Sequence, residues 1–230
     1  MDRVCEVVAG NRYPGRGVLW ARTLSGGLCG GYFLTGRSTA SKTRAVLRGK
    51  GELIVAPTGE SEHDPLRHYV AVRERGGWLV FGNGEQVAVV SDRLQDHGPV
   101  DALGGLEYEP DPPIFTPRIT VVADLRLGQA AWFGAARRSH GGRAAADVLT
   151  LAVRDLEPGD AVLMTTYRSD GRSIATGEPF LEARTEAADQ DELLEELWGA
   201  LTPEFRVAVA VFESGRLADA AIRHEVSAWV

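Results

Sequence analysis

Residues 106–119 read Leu106-Glu107-Tyr108-Glu109-Pro110-Asp111-Pro112-Pro113-Ile114-Phe115-Thr116-Pro117-Arg118-Ile119, with four prolines, three acids and one arginine set between two apolar segments. Each proline lacks an N–H, fixes φ and biases the preceding residue towards extended backbone, so the stretch forms neither helix nor regular strand. Glu109, Asp111, Pro112 and Thr116 are the residues restricted in this way. A loop this stiff holds Glu109, Asp111 and Arg118 in place at little entropic cost when a ligand arrives. The plainer reading is a connector from a helix to a strand at residues 119–125, with its charges solvated.

On the N-terminal side, Val89, Val90, Leu94 and Val100 predict a helix over residues 85–103, weakened by Gly98-Pro99. Before it, residues 68–72 and 78–81 read as a strand pair that breaks at Gly82-Asn83-Gly84, which puts Asn83 at a strand end. Residues 17–22 and 28–34 form a hairpin around Ser25-Gly26-Gly27, and residues 53–55 a further strand. Between them, Arg37 and the polar run Thr39 to Arg44 hold cations and small hydroxylated residues, a composition suited to phosphate and equally to a solvated turn. On the C-terminal side, residues 119–125 with 130–136, and 148–153 with 161–166, read as two more strand pairs. Leu193, Leu194, Leu197 and Leu201 predict a helix over residues 189–201 behind an acidic first turn, and residues 205–212 and 217–224 close the chain as strands. Nine to eleven strands with two helices are too strand-rich for a doubly wound fold and too unevenly spaced for a propeller. An α+β arrangement, two packed sheets with helices outside, satisfies the burial pattern.

With 230 residues, 44% hydrophobic and 25% charged, the chain is expected to be a single domain spanning residues 1–230, its softest seam at residues 169–184. A net charge of −7 argues against nucleic acid or an anionic membrane surface, while 23 arginines against two lysines leave room for a local anion site. Cys5 and Cys29 give no disulfide framework, so a reducing cytoplasm is the default. No apolar run approaches a membrane span. Motifs for dinucleotide, P-loop, zinc-protease, dithiol and serine-hydrolase chemistry are absent, and His63, His68, His97, His140 and His224 are scattered without ligand spacing, so no metal site is expected. Cys5 does not stand at a processed amino terminus and reads as a core thiol.

Tyr13-Pro14-Gly15-Arg16-Gly17, Gly36-Arg37-Ser38 with Ser41 and Arg44, Asn83-Gly84-Glu85-Gln86, and Glu109-Pro110-Asp111 with Phe115-Thr116-Pro117-Arg118-Ile119 together resemble the archaeal-type IMP cyclohydrolases and their bacterial relatives. The resemblance covers roughly residues 13 to 125, and its last block is the specific one. It implies a four-layer αββα sandwich of the N-terminal-nucleophile hydrolase type, without such a nucleophile. It also implies ring closure of an N-formyl carboxamide with loss of water, on a small-molecule substrate, free or carried, and without metal or cofactor. Homo-oligomerisation is left open. By position, Arg44 and Glu109 match the family's active-site arginine and glutamate, with Arg37, Ser38, Asn83, Asp111, Thr116 and Arg118 as substrate-binding residues. Two departures stand out: Val72-Arg73 replaces a tyrosine-asparagine pair, and Val87-Ala88 replaces polar residues after the Asn-Gly turn. They raise the expectation of a changed substrate, such as a formamide closed to an oxazole in specialised metabolism, beside orthodox IMP formation and beside a non-catalytic nucleotide binder.

Overall fold

The structure, a computed structural model, describes residues 1–59, 64–126, 130–139, 143–170 and 180–225. His63, His140 and most of the expected seam at 169–184 lie outside the described residues. In chain order the elements are α1 (Val4–Ala9), β1 (Arg16–Arg22), β2 (Leu28–Thr35), α2 (Thr39–Lys42), β3 (Arg44–Gly49), β4 (Glu52–Pro57), β5 (Tyr69–Arg75), β6 (Trp78–Gly82), α3 (Gln86–Arg93) and α4 (Pro99–Gly104). There follow β7 (Arg118–Asp124), β8 (Ala130–Arg138), β9 (Ala146–Arg154), β10 (Asp160–Thr165), β11 (Phe180–Arg184), α5 (Gln190–Ala200), β12 (Arg206–Glu213), a 3-10 turn (Leu217–Asp219) and β13 (Ala221–His224).

The strands form two antiparallel sheets, one ordered β11-β10-β1-β2-β12-β13 and the other β3-β4-β5-β6-β7-β8-β9. Alternation along each strand sorts the side chains between two faces. Val18 and Trp20 of β1 and Tyr32 and Leu34 of β2 turn to the layer between the sheets, where they meet Leu53, Phe81, Ile119 and Phe133 of the second sheet. Leu19 and Phe33 turn the other way, against Leu193 and Leu197 of α5 and Val4 of α1. On the far side, Val87 and Val90 of α3 and Leu103 of α4 cover Val80 and Val122 of the second sheet. The result is helices, sheet, sheet, helices: the expected α+β sandwich in four layers.

The local reading needs four corrections. The helix expected over residues 85–103 is two, because Gly98 takes extended backbone and Pro99 opens α4 at its first position. β3 and β11 were not expected; the three C-terminal residues of β3 are exposed, so its apolar pattern is too short to read. α1 and α2, six and four residues long, fall below the length at which periodicity registers. Residues 217–224 are a 3-10 turn followed by the short β13 rather than one strand.

Candidate active site

The proline-rich loop joins α4 to β7 and folds back on itself. Glu109 N–H donates to Thr116 O at 2.8 Å, and Asp111 takes both the N–H and the hydroxyl of Thr116, at 2.6 and 2.5 Å. With the Thr116 proton committed to Asp111, the Tyr167 hydroxyl 2.6 Å from Thr116 Oγ1 is the donor in that pair. Asp111 and Thr116 therefore clamp the loop, and the clamp turns Glu109 inward until only 3% of it is exposed.

Arg16 opens β1 on the same face as Val18 and Trp20, which aims a guanidinium into the layer between the sheets. Gly15 before it has φ +73°, and a Cβ there would fall 2.3 Å from Thr166 Oγ1, so only glycine lets the chain enter β1 at this angle. Arg16 Nη2 pairs with Glu109 Oε1. Asn83 Nδ2 donates to the same oxygen at 3.0 Å and to Pro117 O at 2.9 Å. Among the described residues nothing donates to Glu109 Oε2. Burial pushes the Glu109 carboxyl above its ordinary range, and the Arg16 charge and hydrogen bond pull it back without cancelling the rise. Arg16 itself stays cationic: burial opposes its charge, but Glu109 and the phenols of Tyr69, Tyr167 and Tyr32 raise its pKa well above the usual value.

Arg44, at the start of β3, is 3% exposed and forms no ion pair with a carboxylate among the described residues. Its Nε donates to Ser41 O at 2.8 Å and its Nη2 to Thr35 O at 3.2 Å, while Nη1 has no acceptor among the described residues. Burial, with Arg16 nearby, lowers its pKa. Arg67 reaches the same cleft and has a buried Nε without a partner among the described residues. The hydroxyls of Ser38 and Ser41 cap α2 reciprocally, Ser41 N–H donating to Ser38 Oγ at 3.2 Å and Ser38 N–H to Ser41 Oγ at 2.9 Å. Beneath the guanidiniums, the buried hydroxyls of Tyr32 and Tyr69 bond each other at 2.7 Å.

The cleft so formed has a volume of about 340 Å³. Glu109, Arg44, Ser38 and Asp111 line it, together with Arg16, Arg67, Tyr13 and Tyr167. A larger groove, about 570 Å³, runs between α1 and α5, but its carboxylates are already bonded, Glu186 to Arg3 and Glu196 to Thr185. Asn83 and Thr116 stand behind the cleft wall as supports. Arg37 lies over the Tyr13 ring, 4.8 Å from its centroid. Arg118 turns away to Glu85 at 2.9 Å, because β7 alternation puts it on the helix-facing side with Val122. Of the charged residues lining the cleft, Arg16, Asp64 and Arg67 were not expected; the readable signal for Arg16 was a charge on the apolar face of β1. Among the described residues no group of three His, Cys, Asp or Glu side chains could hold a metal, and no helix is long and apolar enough to cross a membrane.

The departures that suggested a changed substrate fall outside this cleft. Val72 is fully buried in the core between the sheets, Val87 is packed between α3 and the second sheet, and Ala88 is half-buried on α3. None of the three lines the cleft.

A family profile described as IMP cyclohydrolase-like protein matches residues 13–216, a span that contains every residue lining the cleft. The chain belongs to the IMP cyclohydrolase-like family. The IMP cyclohydrolase of Thermococcus kodakarensis is 33% identical over 159 residues, 65% of this chain and 74% of that protein. That of Methanothrix thermoacetophila is 28% identical over 148 residues, 61% of this chain and 67% of that protein.

Proposed function

We propose that the protein is a ring-closing cyclohydrolase that converts formylaminoimidazole carboxamide ribotide to IMP, its chain acting as one domain. The observation that carries this reading is Arg44: a buried cation with no ion-paired carboxylate among the described residues is costly unless an anionic ligand completes it, and Glu109 lines the same cleft. Arg44 and Arg67 take the anionic part of the ribotide, which leaves its formyl group beside Glu109.

The carboxamide nitrogen then bonds to the formyl carbon and gives up one proton, and the formyl oxygen takes a proton to become the hydroxyl of a carbinolamine. That oxygen leaves as water with a second proton, the former formamide N–H, as the ring C=N bond forms. One water is released and no electrons are gained or lost. Glu109, protonated on Oε2, donates to the oxygen, and Arg16 and Asn83 hold Oε1 and stabilise the carboxylate once the proton has gone. The names of both relatives support the purine substrate, and no residue of the cleft favours oxazole formation.

Incubation with the formylated ribotide, followed by IMP absorbance, tests the reading. Turnover is expected. A ligand-induced rise in melting temperature without turnover would identify a binder instead, and neither response would remove the ribotide as ligand.

A further inference from the structure

Gln86 opens α3, is 3% exposed, and spends its amide inside the protein. Its Nε2 donates to Asn83 Oδ1 at 3.0 Å, with longer contacts to Thr120 Oγ1 at 3.3 Å and Ile119 O at 3.4 Å. Asn83 Oδ1 also receives the Ile119 N–H at 2.7 Å. The two ends of an asparagine amide are nearly the same shape, so its neighbours decide which end faces which way. Two donors on Oδ1 leave Nδ2 facing Glu109 Oε1 and Pro117 O. Turning the amide over would set N–H against N–H and a carbonyl against the carboxylate.

We infer that Gln86, acting through Asn83, is a positioning residue that fixes Glu109 with Oε1 held and Oε2 turned to the cleft. The inference rests on the reading of Glu109 as the acid–base group. A purely structural role fits Gln86 poorly. Its Oε1 is buried and without a partner among the described residues, a cost that an apolar side chain packed beside Val87 and Val90 would not carry. The space for that carbonyl depends on Gly84, where a Cβ would come 2.7 Å from Gln86 Oε1. Among the described residues, the charged and titratable groups around Glu109 are Arg16 from β1, Asp111 in its own loop, Arg118 from β7 with its partner Glu85, Tyr167 after β10, and, across the cleft, Arg44 from β3 with Asp64 and Arg67 before β5. Gln86 is neutral, so replacing it changes none of these charges.

The test replaces Gln86 by methionine, similar in volume and without hydrogen bonds, and reads two quantities against pH: kcat and KM on the formylated ribotide, and the Glu109 carboxyl stretch by difference infrared with Glu109→Gln as blank. Asn83 donation favours the carboxylate, so loosening it should move the Glu109 titration and the matching limb of the rate profile upward. KM should hold while kcat falls on the order of tenfold, the scale of a slightly misplaced group. Gly84→Ala, which presses on the Gln86 carbonyl without removing it, should shift the titration in the same direction by less. An infrared titration unmoved in both variants overturns the inference, whatever the rate does. If the wild type fails to turn over the ribotide, the infrared arm still decides, so failure of the substrate reading is distinguishable from failure of this one.

Discussion

Replacing Glu109 by glutamine removes the exchangeable acid proton and almost no volume. Glutamine keeps a carbonyl oxygen for Arg16, whose guanidinium is only 11% exposed, and for Asn83, so the fold survives. Burial already disfavours the charged form, so the neutral amide should cost at most about 1 kcal/mol, or roughly 2–4 °C in melting temperature for a chain of this size. The chemical loss should be larger. A positioned acid–base group contributes ~10²–10⁴-fold, which is about 3–5 kcal/mol of barrier. Steady-state kinetics on the formylated ribotide, with ligand affinity from calorimetry, separates the two: kcat should collapse while affinity changes little. There is also a pH signature. Burial raises the folded-state carboxyl above its unfolded value, so its contribution to stability is present below the ordinary carboxylate range and lost as pH rises through the raised value. Glu109→Gln abolishes that slope. Turnover within a few-fold of wild type would refute the acid–base role and leave the loop as a rigid wall of the cleft.

Arg44→Met should weaken ribotide binding by about 1.5–3 kcal/mol, the worth of a charge-assisted contact, while stability in denaturant stays nearly level, since losing a buried uncompensated charge offsets leaving Ser41 O and Thr35 O unpaired. Unchanged affinity in calorimetry would show that Arg44 holds no anion. Gly15→Ala places a Cβ at positive φ against Thr166 and Tyr167, and should cost about 1–3 kcal/mol and lower activity by moving Arg16; a variant that melts and turns over like wild type would contradict the close packing. His224 accepts the Val46 N–H at Nε2, 2.9 Å away, and burial lowers its pKa. Its contribution is therefore complete above the ordinary histidine value and lost as pH falls through the lowered one. His224→Phe should flatten this acid-side loss and cost about 1–3 kcal/mol at neutral pH for the unpaired N–H, checked by melting temperature against pH.

The stiffness of the loop around Glu109, the hairpin of β1 and β2 and the leucine face of α5 were legible in the sequence, because proline restriction, turn chemistry and side-chain period act over a few residues. The clamp of Asp111 on Thr116 spans five residues and is local too, yet its outcome is not: it points Glu109 at an arginine 93 residues away. Nothing near Arg16 names that partner. Sheet order brings it there, β1 lying beside β10 and β2, with β12 inserted between β2 and β13. The same order leaves Arg44 without an ion-paired carboxylate among the described residues and turns Arg118 from cleft to helix layer. A one-residue change of parity moves a strand residue to the opposite face, so residue types near a motif could nominate Arg44, Arg118 and Asn83 alike. Only the packing of two sheets decided which faces the cleft, which faces a helix and which supports a neighbour from behind.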